Sequence, residues 1–393
     1  MPSAATTAAD LALNGGTPVF SKPVPFMALG LHESDIEAAT EVLRSGMLRA
    51  ASKCAEFEKR FATATDAKHA LTCANGTCAL QLAYEALLKP GDEVIVPAWT
   101  YIATASMLVA RGCRPIFCDS LEDTYQIDVA DAERRITPNT RAIACTHLYG
   151  IPVDIDAVER LAARHGLMVI YDAAQAHLAT YRGKGIGAFG NAVTYSFYAT
   201  KNLGTGEGGM VTTNAENTAY DMSLLRSHGE TEKYLHERVG YNYRMNDITG
   251  AIGLSKLHRL PAETERRRAV ADRYHRLFDQ LAADGLPIGR PVPTEGTEPA
   301  WHLYSLRIEH ERLTCSRDQF SEALKAEGVP SAVHYPKSLT RQPAFREHVT
   351  DHPPVADRLA SRVLSIPIHH EITDEQADRV AEAVAKVARA YLA

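Results

Sequence analysis

Leu167-Met-Val-Ile-Tyr-Asp172 and Ala192-Val-Thr-Tyr-Ser-Phe-Tyr-Ala-Thr-Lys201 each open with a short apolar run and end on a charged residue, a carboxylate in one and an amine in the other. Five further short runs surround them: His69-Ala-Leu-Thr-Cys73, Glu93-Val-Ile-Val-Pro97, Arg114-Pro-Ile-Phe117, Arg141-Ala-Ile-Ala-Cys145 and Gly209-Met-Val-Thr-Thr213. Short, near-continuous apolar runs rich in Val and Ile suit strands covered on both faces. Helical patterns separate them. Ala79 to Leu88 puts Leu80, Ala83, Tyr84 and Leu87 on one face, and Ile155 to Leu161 does the same with Val158 and Leu161. This alternation predicts an α/β fold with a mainly parallel seven-stranded sheet flanked by helices.

Outward from that core, Ser34 to Arg44, stopped by Gly46, reads as an N-terminal helix with Ser34 as its cap. After Asn246 the composition shifts. An arginine-rich helical stretch from Leu260 to Leu281 leads into a connector rich in Pro and Gly, residues 285–296. Trp301 to Ile308 and Ser331 to Tyr335 then read as strands, and Asp318 to Ala326 and Asp374 to Ala390 as helices. These predict a smaller C-terminal α+β domain. The expected division is a flexible N-terminal segment at 1–20, a large domain at 21–258 and a small domain at 259–393.

A chain of 393 residues with 45% hydrophobic content has ample material for two cores. Lys and Arg number 42 against 48 Asp and Glu, a formal charge of -6 without a long basic run, which argues against a nucleic-acid partner. No signal-peptide pattern and no apolar stretch of eighteen residues occurs, so a cytoplasmic protein without a membrane partner is expected. The seven cysteines lie mostly within apolar segments and are expected to be reduced. His147, His177, His334, His369 and His370 lack the helical spacing of a zinc site, so no metal is expected.

An amine and a carboxylate at the ends of neighbouring strands suit pyridoxal phosphate. The lysine would hold the cofactor aldehyde as a Schiff base, and the carboxylate would keep the pyridine nitrogen protonated. Asn75-Gly76-Thr77 stands between a strand and an amphipathic helix, where free backbone amides and the Thr77 hydroxyl can receive a phosphate. Gly204-Thr-Gly-Glu-Gly-Gly209 matches the dinucleotide fingerprint in letters only. It leads into a strand instead of opening a helix, and is expected to be backbone that must pass close to the cofactor.

Asp172-Ala-Ala-Gln-Ala-His177, Ser196-Phe-Tyr-Ala-Thr-Lys-Asn202, Gly206-Glu-Gly-Gly209 and Gly240-Tyr-Asn-Tyr-Arg-Met-Asn-Asp247 resemble, in order and spacing, the DegT/DnrJ/EryC1/StrS sugar aminotransferases. The resemblance extends from about Pro25 to the C-terminus, and also takes in Gly91 to Tyr101 and Val333-His-Tyr-Pro336. It implies a fold of the aspartate aminotransferase type, the large domain binding pyridoxal 5'-phosphate. It further implies that Lys201 forms the Schiff base and shuttles the proton, and that Asp172 pairs with the ring nitrogen. Gln175 would approach the phenolic oxygen, Tyr101 would stack on the ring, and Gly76, Thr77 and Ser196 would hold the phosphate. Asn242 would reach that phosphate from a second subunit, so a homodimer with shared active sites is implied. His334, Tyr335 and Asn75 are the candidate substrate contacts.

The chain departs from the family pattern at Arg49-Ala-Ala-Ser52 and at Asn75, where many relatives carry other residues. Lys201 separates it from the branch that replaces the lysine with histidine and deoxygenates sugars. The function expected is transfer of an amino group from L-glutamate or L-glutamine to a keto-sugar, foremost a nucleotide-linked 3- or 4-keto-deoxysugar. Amination of a cyclitol such as an inosose, an aminohydroxybenzoate-type synthase, and a cofactor-binding regulatory protein are the alternatives.

Overall fold

The structure, a computed structural model, describes residues 7–393. All seven runs are strands of one sheet: β1 (His69–Cys73), β2 (Glu93–Pro97), β3 (Arg114–Cys118), β4 (Thr140–Thr146), β5 (Met168–Asp172), β6 (Ala192–Ser196) and β7 (Gly209–Thr213). Their order is β1-β7-β6-β5-β4-β2-β3. Only β7 runs against its neighbours, pairing antiparallel with both β1 and β6, while the other pairs are parallel. Helices α1 (Glu33–Ser45) and α2 (Ser52–Ala64) precede the sheet. Then α3 (Gly76–Leu87), α4 (Ile102–Ala110), α5 (Val129–Arg134), α6 (Ile155–His165) and α7 (Glu216–Arg226) accompany its strands.

Each central strand feeds two cores because successive side chains point to opposite faces. Val94 and Val96 join Leu80, Tyr84 and Leu108 on one face, while Ile95 between them joins Phe57, Val158 and Leu161 on the other. That double burial is why these strands read as continuous apolar runs.

Helix α8 (Asp247–Ala283) is longer than the sequence reading and crosses the expected 258/259 boundary without a break. Its first part packs on α1 and α2, and its later part on the C-terminal helix α11 (Asp374–Ala390), which follows α9 (Arg317–Ala326) and α10 (Pro354–Arg362). Pro261 is accommodated inside α8 at an exposed position, where water can satisfy the carbonyl it leaves free. Strands β8 (Ile288–Gly289), β9 (Tyr304–Ile308) and β10 (Val363–Ile366) form an antiparallel sheet that packs with α8, α9 and α11.

Three local expectations are corrected. The first helix begins at Glu33 with His32 as its N-cap, two residues before Ser34, because Asp35 takes the backbone amide of His32. The run from Trp301 becomes strand only at Tyr304, since the amides of His302 and Leu303 are drawn to the Tyr149 carbonyl. Residues 331–335 are not a strand, and pair only through the Ala332–Ser365 bridge. Of the N-terminal segment set apart at 1–20, residues 1–6 lie outside the described residues. In the remainder, Leu11 and Phe20 are buried in the core shared by α9, α11 and the later part of α8, and the fully buried Glu327 carboxylate accepts from the amides of Ala12 (2.8 Å) and Val19 (3.0 Å).

Candidate active site

Strand β5 ends on Asp172, whose partners in register are Thr146, the last residue of β4, and Thr194 of β6. Beyond β6 the chain turns, with the Lys201 amide donating to the Tyr198 carbonyl at 2.8 Å. Both residues thereby reach one cavity of about 620 Å³ at the carboxyl ends of the strands, the position where open α/β sheets bind ligands. Asn75, Gly76, Thr77, Tyr101, Gln175, Ser196, His334 and Tyr335 line the same cavity. Asn242 does not, and is exposed on the chain that bridges to Ser227.

Burial dominates the electrostatics. It pushes the Asp172 carboxyl above its ordinary value, against the Thr104 hydroxyl (2.7 Å), the Ala174 amide (3.0 Å) and the charge of Lys201, all of which favour the anion. Burial brings Lys201 down to about 8, opposed by Asp172, so a neutral amine is accessible near neutral pH. His334 is lowered to about 4, by burial first and then by Lys201, and is an uncharged ring whose Nδ1 lies 3.1 Å from the Ser365 hydroxyl.

Gln175 is oriented from both ends. Its Oε1 accepts from the Tyr149 amide at 2.7 Å and its Nε2 donates to the Tyr335 hydroxyl at 3.1 Å, which leaves the second N–H of the amide for a ligand. The Tyr101 ring, half exposed at the cavity rim, lies 5.8 Å from the Tyr335 ring.

The donor set fits pyridoxal phosphate. At the start of α3 the Asn75 side chain accepts from the Cys78 amide at 2.9 Å and the Asn75 carbonyl from Ala79. The amides of Gly76 and Thr77 are thus left as the free positive end of the helix. A Cβ on Gly76 would stand 2.7 Å from Ser196 Cβ, so glycine is what lets this end approach β6 and keeps the cradle open. Asn75 caps the helix through its side-chain oxygen, the structural role its position offers. The glycine loop is explained mainly by its own packing: a Cβ on Gly204 would meet the Ala199 carbonyl at 2.5 Å, and one on Gly209 the Asn75 carbonyl at 2.3 Å.

Thr104, Thr146, Thr194, Tyr198, Glu207 and His302 also line or support the cavity and went unread in the sequence. Thr104 offered a faint signal, being three residues beyond Tyr101 on a helix that starts at a strand end. His302 offered another, as a polar residue inside an apolar run. Away from the cavity, His32, Glu263 and His370 bring ligand atoms within 4.8 Å of one another. Spacing could not reveal this grouping because it joins three separate elements, and Arg259 already binds Glu263 Oε1 at 2.9 Å. Among the described residues no helix is long and apolar enough to cross a membrane.

A model of the DegT/DnrJ/EryC1/StrS aminotransferase family matches residues 30–385. The dTDP-3-amino-3,4,6-trideoxy-alpha-D-glucose transaminase of Streptomyces venezuelae is 39% identical over 371 residues, covering 92% of this chain and 95% of the relative. A pleiotropic regulatory protein of Geobacillus stearothermophilus is 38% identical over 355 residues, covering 89% and 93%. Among solved structures, S. venezuelae DesV in complex with a ketimine intermediate superposes with a TM-score of 0.88 at 38% identity, covering 94% of this chain and 99% of that one.

Proposed function

We propose a substrate and a division of labour for this chain, which belongs to the DegT/DnrJ/EryC1/StrS aminotransferase family and is a sugar aminotransferase. The reaction is transfer of the amino group of L-glutamate, or L-glutamine, to the keto carbon of a nucleotide-linked deoxysugar. The observation that carries it is the meeting of Lys201 and Asp172 on one cavity with the free start of α3.

Members of the family use pyridoxal 5'-phosphate, which supplies an aldehyde for the lysine and a ring that takes up the electron pair left when the amino donor's α-carbon loses its proton and returns it toward the keto carbon being aminated. Lys201, brought to about 8 by burial, is placed to act as nucleophile and then to carry a proton at Nζ. Asp172 holds the ring nitrogen, and Gln175 donates its remaining N–H to the phenolic oxygen. Gly76, Thr77 and Ser196 would hold the phosphate, Tyr101 would cover the ring, and His334, Tyr335 and Asn75 would border the sugar.

Lys201 is the one cationic lysine or arginine among the cavity-lining residues, yet the nucleotide carries further negative charge. A homodimer supplies what is missing: Asn242 and Arg244 are exposed, and Leu29, Leu31, Leu43, Met47, Leu48 and Val239 expose apolar surface that a second copy would cover.

Protein loaded with pyridoxal phosphate should be yellow and should bleach on addition of glutamate, and Lys201→Ala should lose both responses. Colourless wild type after loading would overturn the proposal. Amination of a panel of keto-sugar nucleotides, with inososes as competitors, reads the substrate class. The resemblance to a regulatory protein gives a second reading, cofactor binding without turnover, and a yellow protein that no amino donor bleaches would select it.

A further inference from the structure

Beneath Asp172 lies a cluster of three threonine hydroxyls. Thr104 Oγ1 is 2.7 Å from Asp172 Oδ2, 3.3 Å from Thr146 Oγ1 and 3.3 Å from Thr100 Oγ1, and the last two are 2.6 Å apart. All three residues are buried, with Thr104 wholly inaccessible. They come from different places: Thr100 from the turn after β2, Thr104 from the first turn of α4, and Thr146 from the end of β4. Thr104 is also held by its backbone, since the buried Tyr84 hydroxyl donates to its carbonyl at 2.9 Å.

With Asp172 ionised, two proton arrangements place a hydrogen in both the 2.7 Å bond to the carboxylate and the 2.6 Å Thr100–Thr146 contact. An ionised carboxylate accepts and cannot donate, so the single Thr104 proton must point to Asp172. Thr104 can then only accept from its two neighbours, of which one donates to the other. The chain runs either Thr100 to Thr146 to Thr104 or Thr146 to Thr100 to Thr104, and in both every hydroxyl dipole ends on Asp172. Aligned hydroxyls in a dry interior polarise one another, so the last bond is stronger than an isolated one. A protonated Asp172 could instead donate to Thr104, and the chain would then reverse and lose its purpose.

We propose that Thr104, backed by Thr100 and Thr146, is a positioning residue that fixes Asp172 as a buried anion, so that the carboxylate can keep the cofactor's ring nitrogen protonated. This rests on the pyridoxal phosphate reading above. With Ala174 on Oδ1 and Thr104 on Oδ2, the carboxylate is fixed in rotation and still has lone pairs to offer the ring. Threonine suits the position because its methyl group packs in the core while its hydroxyl makes the bond.

The test is Thr104→Val, which removes the hydroxyl at nearly constant shape, with Thr104→Ser as the conservative rescue. Both are loaded with pyridoxal phosphate carrying nitrogen-15 in the ring. In the valine variant the ring resonance should move toward that of neutral pyridine, its titration midpoint should fall by at least about one pH unit, and cofactor affinity should drop about tenfold or more. Serine should restore all three. Thr146→Val should shift the same signals in the same direction by less, and it stands in if Thr104→Val does not fold. A folded valine variant with wild-type nitrogen resonance and affinity would overturn the proposal. Failure of the wild type itself to bind the cofactor would instead overturn the function proposed for the site.

Discussion

Gly76→Ala tests the cradle at the start of α3. The new Cβ would lie 2.7 Å from Ser196 Cβ, 3.1 Å from Ser196 Oγ and 3.2 Å from Ser196 Cα. Carbon atoms rest at about 3.5–4.0 Å, so α3 and the end of β6 must separate by about 0.8 Å. The nearest atoms belong to a strand end and its first side-chain carbon, which cannot swing aside. Overpacking of this kind costs about 1–3 kcal/mol, and alanine in place of helical glycine returns about 0.5–1 kcal/mol. The expected net loss is up to about 2.5 kcal/mol in the unfolding free energy of the apoprotein, measured by urea titration. The same displacement pulls the Gly76 and Thr77 amides from Ser196, which is worth about one charge-assisted hydrogen bond, or about tenfold in pyridoxal phosphate affinity. Gly30→Ala is the control, because nothing lies within 4 Å of its Cβ position. Gly76→Ala with wild-type stability and wild-type cofactor affinity would refute the close-approach argument.

Glu327→Ala should destabilise the protein by about 3–5 kcal/mol, because it leaves the Lys386 ammonium (2.9 Å) with only the Thr17 carbonyl and frees the amides of Ala12 and Val19; urea unfolding checks the first effect, and faster proteolysis near residues 12–19 the second. Burial depresses His147 and His177 to about 3 and His275 and His334 to about 4, below the ordinary 6.5. Between those values the unfolded chain binds more protons than the native one, so stability should be full above pH 6.5 and fall as pH drops toward 4, by about 1.4 kcal/mol per unit for each histidine. Urea midpoints that stay flat from pH 7 to pH 5 would refute it. Burial raises the thiols of Cys54 to about 12 and of Cys113 and Cys315 to about 11, and Cys73, Cys78, Cys118 and Cys145 are raised as well. A disulfide reagent at pH 8 should therefore titrate the seven cysteines slowly in the native state and all of them after denaturation; a fast thiol in the native state would contradict this.

What the sequence determined by itself follows from periodicity and chemistry at single positions. The seven strands were legible because both faces of the central ones are buried, which leaves uninterrupted apolar runs, and α11 because its apolar stripe is strict and Thr373 caps it. Lys201 and Asp172 were legible because few other placements of an amine and a carboxylate make sense at the ends of such strands.

Features that depend on several elements at once emerge only when the chain is folded. Residues 331–335 have the composition of a strand, yet they have no neighbour in register beyond one bridge and so form none. That the glycines at 76 and 209 also make room for Ser196 and the Asn75 carbonyl is visible only in the fold. Thr100, Thr104 and Thr146 are ordinary threonines in the chain. Their hydroxyls acquire direction only where β2, α4 and β4 converge under Asp172, because a hydrogen bond is fixed by positions in space and residue spacing along the chain does not encode it.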